Sequence, residues 1–236
     1  MSRLLRSELL KIVTVRSFLW IALGNLAIVL VAAISVSASE GSIQSADDDR
    51  SVAQIAGIAI VFALLSGIIV MASEARYGTI TQTLLVNPVR ERVLLAKVLV
   101  AAVLGLVLAL LSEGVVLLIT VPGASLDFHN SRLVFLGVLL AAPLAGALGA
   151  GFGAVVHAQG AAIGISLIWL LIGENIVTLI NRSAEKFTPG RAFGALASGA
   201  QQGGDLLGMG AGGVAAVAWT GIFVAAGLLA LLGRDI

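Results

Sequence analysis

The chain contains no cysteine, and only 11% of its residues are charged and 5% aromatic. Without cysteine there is no disulfide framework, no thiol catalysis and no cysteine metal site. The three lysines follow Leu10, Ala96 and Glu185, so no Gly-Lys pair exists and a phosphate-binding P-loop is excluded. The motifs of a membrane protease are missing too: there is no His-Glu-x-x-His and no pair of Asp-containing catalytic motifs. No Pro- or Ser-rich linker divides the 236 residues, so residues 1–236 read as one domain. Nothing points to nucleic acid, and the net charge of +1 is uninformative as a total.

What fills the chain is apolar. Hydrophobic residues make up 59% of it and the mean hydropathy is +1.08, far from the soluble norm of roughly half apolar and a quarter charged. This composition predicts a polytopic, all-α membrane protein with no soluble catalytic domain, and any nucleotide hydrolysis is left to a partner chain. Six segments are long enough for a hydrocarbon core that needs about 20 helical residues. They are Phe18 to Ser37, Val52 to Ala72, Val93 to Val121, Leu133 to Val156, Ala161 to Ile180 and Gly213 to Leu232. Val36-Ser37-Ala38 resembles a signal-peptide cleavage site. The apolar run before it nevertheless exceeds the usual length of about 7–15 residues, so it reads as a span.

Basic residues orient the bundle. With the N-terminus cytoplasmic, the inner segments hold Arg3, Arg6, Lys11, Arg16, Arg76, Arg90, Arg92, Lys97 and Arg234. The outer ones hold Arg50, Arg132, Arg182, Lys186 and Arg191. Nine against five predicts both termini inside, by the positive-inside rule. Met1, Leu5, Leu9, Ile12 and Val13 share one arc of a helical wheel, which predicts an N-terminal helix lying in the membrane interface. Asp47-Asp48-Asp49 falls in the first outer loop and reads as a solvated cap with no metal role, since calcium would need several more converging oxygens. Gly146, Gly149, Gly151 and Gly153 in the fourth span allow close helix approach within the chain. His157, in the short turn that follows, reads as interfacial. Asn181-Arg182-Ser183 matches a glycosylation acceptor, a pattern common by chance. The 181–212 connection is too apolar for a free loop and predicts one or two short helices dipping into the outer leaflet.

Two carboxylates fall inside spans. At 1.5 Å per residue, Glu113 lies roughly 24 Å along its helix from Lys97, and Glu174 roughly 21 Å from Gly160, so both belong to the outer half. Ionisable groups at that depth face a bundle interior or a wet cavity. Three roles remain open: a contact in a translocation path, a proton-relay pair, or a hydrogen-bonded packing element. Asn25, Asn175 and Thr178 are candidate hydrogen-bonding neighbours for any of the three.

The longest polar island runs from Glu74 to Lys97 between the second and third spans, well beyond the usual connection of about 2–8 residues. Ile80, Leu84 and Leu85 recur at helical spacing, Thr79 and Thr83 share a neighbouring face, and Asn87-Pro88 stops the helix. Glu74 suits the positive end of the helix dipole. The product is a short amphipathic helix beside the membrane, with Arg90, Arg92 and Lys97 as anchors in the inner leaflet.

Ser7-Glu8-Leu9-Leu10-Lys11 with Arg16-Ser17, and Glu74-x-Arg76-x-Gly78-Thr79-Ile80-x-x-x-Leu84-Leu85-x-x-Pro88-x-Arg90 ending at Ala96-Lys97, resemble the permease subunits of ABC-2 type bacterial ABC transporters. The resemblance implies a six-helix permease in the bacterial plasma membrane, paired with a second copy or a paralogue and with two separate ATPase subunits. ATP and magnesium would sit on those subunits, with no cofactor on this chain. It implies that Tyr77 to Val86 is the coupling helix, so Glu74, Arg76, Tyr77, Gly78, Thr79, Ile80, Thr83 and Leu84 become the partner-binding residues. It implies that the second and fifth spans line the path, which puts Glu174 near it. The expected function is an exporter for an amphipathic or hydrophobic substrate such as a drug, a peptide antibiotic or a lipid. A proton-coupled secondary transporter using Glu113 and Glu174 is the rival reading, although no inverted repeat of broken helices is evident. A non-transporting membrane scaffold is the third.

Overall fold

A computed structural model describes residues 7–8, 10, 16–38, 46–77, 89–124, 126–199 and 207–233. Among these the chain is all-helical, without a strand. The elements are α1 (Arg16–Ser37), α2 (Ala46–Ala53), which runs through a 3-10 turn (Gln54–Gly57) into α3 (Ile58–Tyr77), α4 (Arg90–Ala124) and α5 (Phe128–Val156). There follow α6 (Gln159–Ile168), a π turn (Trp169–Gly173), α7 (Glu174–Ile180), the short α8 (Arg182–Glu185) and α9 (Pro189–Ala197), and α10 (Met209–Leu232). Six helical stretches are long and apolar enough to cross a membrane. The interfacial helix before α1 and the helix of the polar island lie almost wholly outside the described residues; only Ser7, Glu8 and Leu10 of the former are described, all helical.

Helix α5 is the hub. Its most apolar window is 67% buried, against 17% for α1, 11% for the fifth span and 22% for α10. Lipid is as apolar as leucine, so helices in a membrane gain their cohesion from close packing. The glycines of α5 supply it. A Cβ on Gly146 would run into the Ala101 carbonyl of α4, and one on Gly149 into the Leu64 carbonyl of α3. On the opposite side a Cβ on Gly151 would meet the Phe223 backbone of α10, and one on Gly227 of α10 would meet the Gly151 carbonyl. Neighbouring helices answer in kind: Gly67 of α3 abuts the Gly146 carbonyl, and Gly105 of α4 abuts Ala142 and Pro143. The glycine run thus packs within the chain, as its spacing predicts.

Two polar expectations need correction. Asp49 is not part of a solvated cap. It is 4% exposed and accepts from the Asp127 backbone N–H at 2.9 Å, while its carbonyl accepts from the Ser131 hydroxyl at 3.1 Å, joining α2 to the start of α5. Lys97 is not an inner-leaflet anchor. It is 1% exposed and its Nζ lies 2.7 Å from Glu8 Oε2, itself buried. The reason is periodicity, since Lys97 continues the buried stripe of Leu94, Ala101, Leu104 and Leu108 on α4. Arg90 turns the other way and donates to the carbonyls of Leu231 at 2.7 Å and Leu232 at 3.3 Å, closing the end of α10. Spans three and six are longer than predicted, starting at Arg90 and Met209. Gly212 in the added turn of α10 lies against Ala195 and Leu196 of α9, so packing overrides its weak helix propensity.

Replacing Gly149 by Val should lower stability by about 3 kcal/mol or more, because backbone sits where the side chain must go. Gly114→Ala, at a position with open space, should change it by less than about 1 kcal/mol. Thermal unfolding of the detergent-solubilised protein compares the two directly; equal midpoints would contradict the packing role assigned to α5.

Candidate functional site

The polar residues singled out by sequence fall into three separate places. The first is the end of α3, whose helical backbone continues through Glu74, Arg76 and Tyr77. Gly78, Thr79, Ile80, Thr83 and Leu84 lie outside the described residues. Each flank of this stretch enters a packed base. On one side α3 runs into the bundle with Ala72, Met71 and Ile68 buried. On the other, α4 begins at Arg90, tied to α10, and is tied again to Glu8 through Lys97.

The second place is the seam between α1 and α4. Asn25 is fully buried and donates from Nδ2 to Ser112 Oγ at 2.7 Å. Glu113 follows on the same buried stripe as Ala109, Val116 and Thr120 and is 7% exposed. Its Oε1 and the Asn25 Oδ1 are both buried without a hydrogen-bond partner. A buried acceptor left bare costs about 1–3 kcal/mol, so each of these atoms marks unused hydrogen-bonding capacity on its helix.

The third place is the C-terminal part of the fifth span. Glu174 is 6% exposed and accepts from the Gly190 backbone N–H at 2.5 Å. Gly190 is in the first turn of α9, where Pro189 lacks an N–H and Thr188 provides no side-chain cap. Glu174 therefore caps α9 from a distance of 16 residues, a carboxylate set against the positive end of a helix dipole. Arg191 in the same turn is bound to Glu185 at 2.7 Å, and Trp219 of α10 donates to the Phe187 carbonyl at 2.7 Å. Together these bonds fasten the α8–α9 segment over the bundle. Asn181, the apparent glycosylation acceptor, is instead the N-cap of α8, its Oδ1 accepting from Ser183 and Ala184.

Asn175 and Thr178 serve the helix that carries Glu174. The π turn moves the Glu174 N–H onto the Trp169 carbonyl, and Asn175 Nδ2 donates to the Leu171 carbonyl at 2.7 Å. Thr178 donates to the Glu174 carbonyl at 3.0 Å. Neither side chain reaches toward Glu113. Glu113 lies on α4, whereas the fifth span packs on α3 and α5 through α6 and on α8 through α7. Glu113 and Glu174 therefore sit on different spans. The sequence showed both acids and Asn25 but missed the partner of Asn25, Ser112, and that of Glu174, Gly190. Only the buried periodicity of Ala109, Ser112, Glu113 and Val116 gave any signal of the first. Among the described residues no group of three metal-ligating side chains comes together.

At the turn between α5 and α6, His157 adopts φ 62° and ψ −37°. The Ala158 N–H reaches back to the Val156 carbonyl at 2.7 Å, forming a three-residue turn of a strained type for a side-chain-bearing residue. The ring Nδ1 lies 2.7 Å from the Val155 carbonyl, which holds the imidazole against the end of α5.

Two measurements test these assignments. The Glu174→Ala change removes one charge-assisted bond of about 1.5–3 kcal/mol, so a cysteine placed at buried Ala192 should react with maleimide about tenfold faster or more. Because the chain has no other cysteine, the rate is unambiguous, and an unchanged rate would refute the capping role. For the buried ion pair, Lys97→Met alone should destabilise by about 3–5 kcal/mol, and adding Glu8→Gln should restore most of the loss. Additive effects in that double-mutant cycle would mean the two groups do not act as a pair.

No known protein family matches this chain, and no curated protein sequence matches it either.

Proposed function

We propose that this chain is the membrane-spanning permease subunit of an ATP-driven ABC exporter. It would move an amphipathic or hydrophobic substrate across a bacterial plasma membrane, with both termini cytoplasmic. The observation that carries the reading is the Glu74 to Lys97 island, set in a six-span bundle whose sequence holds no P-loop. A chain with no nucleotide site and a long polar element on its more basic face is built to be driven by another protein. The ion pair of Lys97 with Glu8 and the bonds of Arg90 to the end of α10 support this, because they make the root of the island stiff. A load applied at a stiff root reaches the spans and is not absorbed by a hinge. Glu74, Arg76, Tyr77, Gly78, Thr79, Ile80, Thr83 and Leu84 are the docking residues in this reading, two ATPase subunits the partners, and a second permease the other half. Nucleotide binding would supply the differential affinity that any switch between inward- and outward-facing states requires.

The bare Glu113 Oε1 favours a second reading, a proton-coupled transporter with Glu113 as the ion-binding carboxylate. In this reading Glu174, bonded to the Gly190 N–H, serves to hold α9.

Charge reversal at Arg76, or prolines placed at Thr79 and Thr83, should abolish co-purification with the cognate ATPase while leaving the permease in the membrane. Retained ATPase association would sink the ABC reading. Transport that survives ATP depletion and collapses with the proton gradient would establish the second.

A further inference from the structure

A cavity of about 210 Å³ lies beneath α9, walled by Ile60 and Leu64 of α3, Leu148 of α5, Leu170 of the π turn, and Phe193 and Gly194 of α9 itself. Every residue around it is apolar. Water is therefore not its natural occupant, since apolar cavities stay dry and take apolar guests instead. An engineered protein cavity of about 150 Å³ accepts benzene, so this one has room for a slightly larger ring system and none for an intact diacyl lipid or a whole amphipathic drug. The space is half open at the surface of the bundle, so a guest can enter it without unfolding the wall.

Two of its boundaries are adjustable. Leu170 belongs to a π turn, a backbone form that recurs at functional sites because it loosens the helix locally. The roof is α9, whose first turn is capped by Glu174 through the Gly190 N–H, and Gly190 also lines the cavity. Small residues keep the space open. Gly57, at the 3-10 turn, and Gly194 both border it, and neither has an atom within 4 Å of where a Cβ would stand. A leucine at either position would therefore project without backbone collision.

We infer that the α9-roofed cavity is a binding site for one apolar group of benzene to naphthalene size, with Glu174 positioning its roof. That the bound group is part of the transported molecule rests on the transport reading; occupancy of the cavity does not.

The test uses the purified full chain in phosphatidylcholine nanodiscs, photolabelled with 3-phenyl-3-(trifluoromethyl)diazirine, and reads modified peptides by mass spectrometry. Leu179 and Ile180, 86% and 80% exposed on the fifth span, report ordinary partition into the bilayer. Labelling at Leu170 and Phe193 should saturate with probe, fall at least fivefold with naphthalene as competitor, and fall about tenfold in Gly57→Leu and in Gly194→Leu. Labelling at Leu179 should rise linearly and ignore both variants. If Leu170 and Phe193 label without saturation, or survive naphthalene, only bulk lipid reaches the cavity and the inference fails. The competition arm decides the matter on the parental chain even where a leucine variant does not fold. No ATPase enters the experiment, so its failure is separable from failure of the transport reading.

Discussion

Everything in this bundle depends on how closely the backbone of α5 approaches its neighbours. Inside a membrane the hydrophobic effect does not drive helices together, because leaving lipid for protein gains no release from water. Cohesion has to come from dispersion, which falls away within a fraction of an ångström of separation. Gly146, Gly149 and Gly151 meet that demand on three sides of one helix, bringing α4, α3 and α10 to backbone contact. The large side chains left over, such as Leu110, Leu118, Val214 and Leu229, point outward. That inversion of the soluble pattern follows directly from the solvent.

Against this frame the polar bonds are fasteners at particular joints. A hydrogen bond between membrane helices averages about 0.6 kcal/mol and reaches about 1.7, too little to hold helices that packing does not already bring near. Their placement is what matters. Asn25 to Ser112 joins α1 to α4, Thr220 to the Leu144 carbonyl joins α10 to α5, and Trp219 to the Phe187 carbonyl joins α10 to the α8–α9 segment. Glu8 to Lys97 fixes the residues before α1 to the N-terminal part of α4. Each ties one of the more exposed elements, α1, α10, the α8–α9 segment or the residues before α1, to a neighbour.

The spans and the internal use of the glycine run were legible because both follow from composition and period: long apolar stretches, and small residues three to five apart. The misreadings were all polar. Lys97 looked like an anchor because a lysine near a span end commonly is one, and its place on the Leu94–Ala101–Leu104 stripe carried the contrary signal. Asp49 looked solvated because its partner, Asp127, is 78 residues away in sequence. The capping of α9 by Glu174 was illegible for the same reason, although Pro189 did mark a helix start. The π turn had no sequence signature at all. It arises where Gly173 lies against the Trp169 ring, and ring placement depends on the fold. Of the docking residues, only the helical continuation through Tyr77 falls within the described part of the chain.

The packing also decides which parts can move relative to one another. Helices α3, α4 and α10 each touch α5 backbone to backbone at glycine, so sliding any of them would force carbonyls through space that another carbonyl occupies. These four form one block. The fifth span is different: it meets α3 and α5 along α6, carries a π turn in its middle, and beyond that turn is held to the rest mainly by the Glu174 bond to α9. Gly160 and Gly164 near its N-terminal end have nothing close to them, so it lacks the interlock that α3, α4, α5 and α10 share. If the protein changes state when a load is applied at the island, the root of that island moves with α3 and α4 as part of the block. The compliance must then lie between the block and the fifth span. Glu174 and the cavity beside it stand at that boundary, which makes the C-terminal end of the fifth span the place where a bound apolar group would gain or lose its contacts.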